Sequence, residues 1–415
     1  VNQRKVFLPQ GVQDLLIDDC LLRRVIENQI METFTQWGYM EVSSPALEYY
    51  DLFTRPEVLA DGDKMFKLID ADGRILVLRP DCTIPMARVV ATKMRDFVYP
   101  LKLCYVADVF RIDQEQAGKK REFRQAGIEL FGVTTAKGDA EVLVTAIETL
   151  KGIGLQHVTV ELGSVKYLKA LFRQLGLTAD QQAAVVALLE EKNVTGLQEL
   201  ARDYGINGGY GALLTRLPRL FGTLEEVQAA LAQHPQTPEM TEALEELQAT
   251  IELVADYGLD QYLGIDLGMV NQLDYYTGII FKGFTRDLGT VLLSGGRYDA
   301  LLGNFGMDCP ATGFALVIHK ITKALKIQEQ LQVPKRRHVL VLACDTPRGT
   351  VGEAVGQLRQ QDDIVEFCLL KTADDIRAYM KKRQVDELVR IHPDGRVESI
   401  DPARLTDAMM KEVTQ

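Results

Sequence analysis

Val109–Gly132, VFRIDQEQAGKKREFRQAGIELFG, holds two runs of strand-forming residues split by a polar stretch. Val106–Arg111 and Glu122–Phe131 read as strands, and IDQEQAGKK between them, with Gly118, reads as a loop. Antiparallel strands joined by polar loops, with helices before and after them, imply an α+β domain.

Upstream, Leu21, Leu22, Val25, Ile26, Ile30, Phe34 and Trp37 recur at helical spacing, with Asp18 or Asp19 as the expected cap and Gly38 as the stop. YMEVSSPALEYYDLF then alternates like a strand until Pro45, and Lys67–Ile69 with Ile75–Leu78 reads as a hairpin about Asp70–Gly73. Downstream, from about 166 to 257, LKALFRQLGL, DQQAAVVALLEE, VTGLQELARDY and EALEELQATIELVADYG read as a helical insertion. FGTLEEVQAALAQHPQTPEM, with Pro235 and Pro238, reads as a linker between those helices. Strands resume at Tyr262–Leu267, Tyr276–Phe284 and Gly289–Leu293. A boundary near Val333–Lys335 separates a first domain, 1–325, from a small α/β domain, 335–415, in which strand and helix alternate.

The 415 residues suit two or three domains, and 47% hydrophobic with 25% charged content is that of a soluble globular chain. No uncharged apolar run reaches the roughly 18 residues of a membrane span, and the N-terminus lacks a signal-peptide core, so a cytoplasmic location is expected. Cys20, Cys82, Cys104, Cys309, Cys344 and Cys368 are scattered without a CxxC pair, and the histidines show no HxxH spacing. Reduced thiols and no metal follow. A net charge of −11 is a poor background for binding a polyanion. Of the short basic clusters, 335–337 and 381–383 read as solvated surface, which leaves Lys119–Lys120–Arg121. Neither a P-loop nor a GxSxG motif occurs, and no cofactor is expected.

Five segments carry the chemistry: RPDCTIPMAR (79–88), the stretch 109–132 quoted above, LDYYTG (273–278), SGGRYDALLGNFG (294–306) and PATGFALVIHKI (310–321). In this order they resemble the histidyl-tRNA synthetase family, and most closely its non-catalytic branch, the regulatory subunits of ATP phosphoribosyltransferase. The resemblance implies a class II aminoacyl-tRNA-synthetase-like antiparallel sheet with flanking helices. It also implies that the C-terminal α/β domain is similar to a shortened anticodon-binding domain.

A pocket for an amino acid must hold an ammonium, a carboxylate and a side chain together, and buried charges need partners. Asp81, Thr83, Gln125 and Glu129 are polar residues among apolar strand residues, and Tyr275 and Tyr276 offer flat walls with hydroxyls. In the synthetases these positions or close equivalents hold histidine; Asp81 stands where RPEGT carries glutamate. Two readings stay open: Gln125 and Glu129 face a ligand, or they knit strands together; Tyr275 and Tyr276 are walls, or core aromatics. Gly295–Asp299 reads as the tight turn of the pocket floor or as a purely structural turn.

Adenylate formation joins two anions, so fixed cations must offset the charge that builds on phosphorus. The resemblance gives this work to three arginines. Arg111 fills the first position and is also counted with the histidine-binding residues. At the second, RGLDYY is replaced by Asn271–Gln272 before Leu273–Tyr276. At the third, in GFAxGxER, the glycine is Val317, the glutamate is His319 and the arginine is Lys320. Losing one such donor costs about 10²–10³ in rate. Arg121 and Arg124 are expected to border the nucleotide position. Arg111, Lys119 and Arg121 remain as an anion-binding set, unless Arg111 pairs with Glu122 or Asp113.

Three functions follow. The first is a regulatory subunit, not an enzyme. It joins a short-form ATP phosphoribosyltransferase catalytic subunit in a hetero-octamer, and histidine bound to it transmits feedback on the first step of histidine biosynthesis, with no tRNA expected to bind. The second is an active histidyl-tRNA synthetase. The third is a free-standing sensor on the same fold.

Overall fold

A computed structural model describes residues 8–54, 62–112, 120–270, 275–331, 336–343 and 346–406. They fall into two compact units that divide after Leu331.

The first unit opens on α1 (Ile17–Gln36), where Leu22, Ile26, Ile30 and Phe34 recur every fourth residue and are buried. Asp18 and Asp19 lie in its first turn and do not cap it; Leu16 is the cap residue and gives no side-chain bond. There the two carboxylates sit near the positive end of the helix dipole. β1 (Met40–Glu41), β2 (Leu47–Tyr49), β3 (Lys67–Ile69) and β4 (Ile75–Leu78) follow, with β2, β4 and β3 forming a small antiparallel sheet. α2 (Thr83–Lys93) leads to the long strands β5 (Leu101–Phe110) and β6 (Glu122–Phe131). After α3 (Ala136–Gly152) and β7 (Val158–Ser164) come four helices: α4 (Val165–Leu175), α5 (Ala179–Glu190), α6 (Val194–Asp203) and α7 (Gly208–Arg216). β8 (Phe221–Gly222), α8 (Leu224–Leu231), α9 (Pro238–Ala255) and β9 (Leu263–Asp266) return the chain to the sheet. The stretch read as a linker therefore contains a helix, and Pro238 starts α9 because a first-turn position needs no N–H. β10 (Ile279–Thr285), β11 (Leu293–Arg297), β12 (Ala311–Val317) and α10 (Ile318–Ile327) complete the unit.

Nine strands order as β1-β5-β6-β12-β11-β10-β7-β9-β8. The run from β5 to β7 is antiparallel, and parallel pairs β1–β5 and β7–β9 flank it, so the sheet is mixed. Several expected strand boundaries differ: the strand expected at Val106–Arg111 runs from Leu101 to Phe110, and the alternation before Pro45 is a strand only at Met40–Glu41. Tyr276 precedes β10, and the strand expected at Gly289–Leu293 lies instead at Leu293–Arg297. Gly295, Gly296 and Arg297 are thus paired within β11 and form no turn. A side chain at Gly295 would meet the Gly313 carbonyl at 2.3 Å, so glycine serves close approach between strands.

The second unit contains β13 (His338–Ala343), α11 (Arg348–Gln360), β14 (Ile364–Phe367), α12 (Ala373–Arg383), β15 (Glu387–Ile391) and β16 (Val397–Ile400). Its sheet runs β14-β13-β15-β16, with β13 parallel to both neighbours and its apolar residues packed on both faces. No described helix is long and apolar enough to cross a membrane.

Candidate functional site

Side chains alternate along a strand, and directly opposed residues share a face. Gln125, Gly127, Glu129 and Phe131 therefore lie on one face of β6 with their β5 partners Ala107, Tyr105, Leu103 and Leu101. Across the sheet, Glu129 is opposed by Gly313, which is opposed by Gly296. This leaves a floor without side chains beside a carboxyl that is only 1% exposed.

Glu129 is held by two hydroxyls. Thr83 Oγ1 donates to its Oε1 at 2.8 Å, and the Tyr298 hydroxyl donates to Oε2. No basic side chain bonds it among the described residues. Burial pushes its carboxyl up to about 8, against the pull of the Tyr298 and Thr83 hydrogen bonds, and the nearby Asp81 pushes it further. Asp81 and Thr83 are not strand residues as their neighbours in sequence suggested. Thr83 opens α2, and Asp81, one residue before the cap position, accepts the Ile84 N–H at 3.2 Å. Burial raises the Asp81 carboxyl as well, and the Arg111 charge opposes that rise. Arg111 itself donates from Nε to the Pro80 carbonyl at 2.6 Å and stands 5.6 Å from the Phe123 ring centroid. It makes no ion pair with Glu122; Asp113 lies outside the described residues.

Tyr275 and Tyr276 are buried with ring centroids 4.6 Å apart, and both meet the Tyr298 ring edge-on, at 5.7 and 6.4 Å. The site thus joins Asp81, Thr83, Glu129, Tyr275 and Tyr276, with Arg111 at the Asp81 end and Gln125 on the same strand face as Glu129. Two polar atoms there, Gln125 Oε1 and the Tyr105 hydroxyl, are buried with no hydrogen-bond partner among the described residues. Unmatched polar atoms in an apolar site are costly, and an occupant with complementary groups removes that cost. Tyr105 and Tyr298 were not picked out from sequence. Tyr298 lies 169 residues from Glu129 along the chain, and its segment reads as a turn.

Beneath the tyrosines lies a buried ion pair. Arg297 Nε donates to both Asp139 oxygens at 3.1 and 3.0 Å, and its remaining donors reach the Val133 and Thr135 carbonyls and Asp299. Burial raises the Asp139 carboxyl, and Arg297 draws it back.

The anion-binding set is only partly visible. Lys119 and Asn271–Asp274 lie outside the described residues. Arg121 donates its N–H to the Gly11 carbonyl at 2.7 Å, and Arg111 donates its own N–H to the Arg121 carbonyl at 2.9 Å. Arg124 does not border the site: it is on the other strand face, bonded to Glu27 at 2.7 Å and Asp108 at 3.0 Å. Val317 sits opposite Gln125, and Lys320 Nζ donates to the Val291 carbonyl at 3.0 Å. His319 packs edge-on to Phe123 at 6.1 Å, and burial lowers its imidazole to about 4. A cavity of about 530 Å³ lies between α1, α10 and the start of β6, lined by Arg23, Lys120, Arg124, His319 and Lys323 and by the carboxylates of Asp14, Asp19, Asp108 and Glu122; Glu129 does not line it.

Gly313 sets the room available to Glu129. A Cβ there would lie 2.1 Å from Glu129 Oε2 and 2.3 Å from the Ile128 carbonyl. Gly313→Ala therefore lowers the denaturant midpoint, with a cost of about 1–3 kcal/mol from overpacking. An unchanged midpoint would mean that β6 and β12 separate freely at this point.

Comparison with known proteins places this geometry in a lineage. The histidyl-tRNA synthetase family matches residues 11–321. A protein of Alkaliphilus metalliredigens named ATP phosphoribosyltransferase regulatory subunit is 50% identical over 388 residues, covering 93% of this chain and 98% of that one. One of the same name from Acetivibrio thermocellus is 39% identical, covering 87% and 86%. A crystal structure from Bacillus halodurans, titled ATP phosphoribosyltransferase regulatory subunit/histidyl-tRNA synthetase, superposes with a TM-score of 0.80 at 31% identity, covering 93% and 98%. With a nine-stranded synthetase-like sheet and relatives this similar over nearly their whole length, the chain belongs to the family of ATP phosphoribosyltransferase regulatory subunits, built on the histidyl-tRNA synthetase fold.

Proposed function

We propose that this chain is a non-catalytic regulatory subunit. It joins a short-form ATP phosphoribosyltransferase catalytic subunit in a hetero-octamer, is required for that enzyme's activity, and carries histidine feedback on the first step of histidine biosynthesis in the cytoplasm. The observation that supports a histidine site is Glu129. It is a buried carboxyl without a basic partner among the described residues, next to a second buried carboxyl and two unmatched polar atoms. A ligand with an ammonium and an imidazole supplies the missing positive charge and N–H donors. Feedback then requires a coupling free energy between this site and the partner's active site, by which histidine and the partner's substrates alter each other's binding. The first unit is the synthetase-like domain with its helical insertion, and the second is a shortened counterpart of an anticodon-binding domain.

Co-expression with the short catalytic subunit tests the assembly: the two are expected to co-purify, and phosphoribosyl transfer is expected only in the mixture. A catalytic subunit equally active alone would sink the reading.

The alternative, an active synthetase, draws support from the family match over residues 11–321. Against it stand Asn271, Val317 and Lys320 at positions where the synthetases carry arginine, glycine and arginine. Histidine-dependent pyrophosphate exchange with ATP is expected to stay at background; robust exchange would overturn the non-catalytic assignment.

A further inference from the structure

The helical insertion contains a second cleft, of about 360 Å³, far from the Glu129 residues in sequence. Its walls come from four places: Val194 and Gln198 on α6, Ala212, Thr215 and Arg216 on α7, Arg219 just after α7, and Ala230, Gln233 and His234 at the end of α8. Val194, Ala212 and Ala230 supply apolar atoms, and the polar groups are two guanidiniums, two carboxamides, a hydroxyl and an imidazole. No carboxylate lines it. That is unusual in a chain of net charge −11.

The guanidiniums are also uncommitted. Arg88, Arg124 and Arg297 are each tied to carboxylates elsewhere in this unit. By contrast, the side chains of Arg216 and Arg219 make no hydrogen bond or ion pair with any described residue. Both follow within one turn, so their forks can converge on one ligand. Val194 is the first residue of α6, whose first turn is capped by the Asn193 side chain, so the cleft draws its positive charge from the two arginines.

We infer that this cleft binds a small phosphorylated metabolite through Arg216 and Arg219, with Gln198, Gln233 and His234 around the phosphate oxygens. Paired guanidiniums suit the geometry of phosphate, which they can grip with two parallel hydrogen bonds each. Its volume is that of a compact ligand. An extended polynucleotide would instead need a long basic track, which the acidic chain does not favour.

Calorimetric titration of the full chain with pyrophosphate and with ribose 5-phosphate at low salt tests this. Saturable binding of at least one is expected. Arg216→Ala and Arg219→Ala should each weaken it by roughly tenfold, since a hydrogen bond to a charged group contributes on that scale. Both side chains are exposed, so the variants should fold as the wild type does, and histidine binding measured in the same samples should not change. The inference falls if neither phosphate compound binds, if both variants bind as tightly as the wild type, or if an RNA hairpin binds through these arginines while the small phosphates do not. The outcome is independent of the Glu129 reading, because loss of phosphate binding with histidine binding intact separates the two sites.

Discussion

Glu129→Gln lowers histidine affinity by roughly 10²-fold, within the 2–5 kcal/mol that losing one partner of a buried charged pair costs, yet leaves the empty protein folded. The two halves of this expectation come from one fact. In the empty site Glu129 keeps its proton up to about pH 8, so glutamine, equally uncharged and nearly isosteric, replaces the form that is already present. One of the Thr83 and Tyr298 hydroxyls can still donate to its carbonyl oxygen, and the other can accept from its amide N–H. What glutamine cannot do is become an anion opposite a cationic ligand. Calorimetry at neutral pH reads the first half and thermal denaturation the second. Unchanged affinity would put histidine elsewhere.

The same carboxyl gives the pH dependence of the unliganded protein. Unfolded, Glu129 titrates near its ordinary 4.5; folded, near about 8. Between those values the folded state holds a proton that the unfolded chain has released. Stability therefore falls as pH rises through this window and levels off above it. In Glu129→Gln that slope flattens, and the difference between the two stability curves isolates the contribution of this one group.

Asp139→Ala is the largest expected loss of stability, about 3 kcal/mol, the low end for breaking a buried pair, because Arg297 then keeps only the half-exposed Asp299 as a counter-charge. Arg297 is 5% exposed, so most of its charge is offset by Asp139 and Asp299 and not by water. Removing both charges together, in D139L/R297M, should recover part of the loss, since apolar replacements of a buried pair are often tolerated. Denaturant midpoints of the three proteins decide this. If the single variant matches the wild type, the pair is not what anchors β11 to α3. Tyr298 follows Arg297 directly, so the single variant should also disturb the Glu129 site and weaken histidine binding.

Much of the fold was legible because local pattern and tertiary role agree. The second strand runs from Glu122 to Phe131 as read, its apolar residues interrupted by Gln125 and Glu129 on the site face and by Arg124 on the other. The hairpin Lys67–Ile69 with Ile75–Leu78 forms likewise, because its turn residues and its apolar runs point the same way. Where the two conflict, sequence misleads. Two consecutive glycines ordinarily end a strand; in β11 they are needed because the neighbouring strand and Tyr276 approach too closely for a side chain. Gly208–Gly209 likewise hides the start of α7, which its apolar packing holds in place. The site was half visible. Glu129 stands out as a carboxyl within an apolar run, but its partner Tyr298 is an ordinary tyrosine until β11 and β12 carry it there. Arg124, by its place in the strand, seemed to point toward the site; alternation sends it to α1.

Thr83 and Tyr298 have a last consequence for how the protein responds to its ligand. Each already donates to one oxygen of Glu129 when the site is empty, and a carboxylate has lone pairs to spare, so both bonds can persist and steady the anion that a cationic ligand would meet. What a cationic ligand would have to displace is the Glu129 proton, so occupancy of such a site would rise with pH toward about 8 while the two hydroxyls stay where they are.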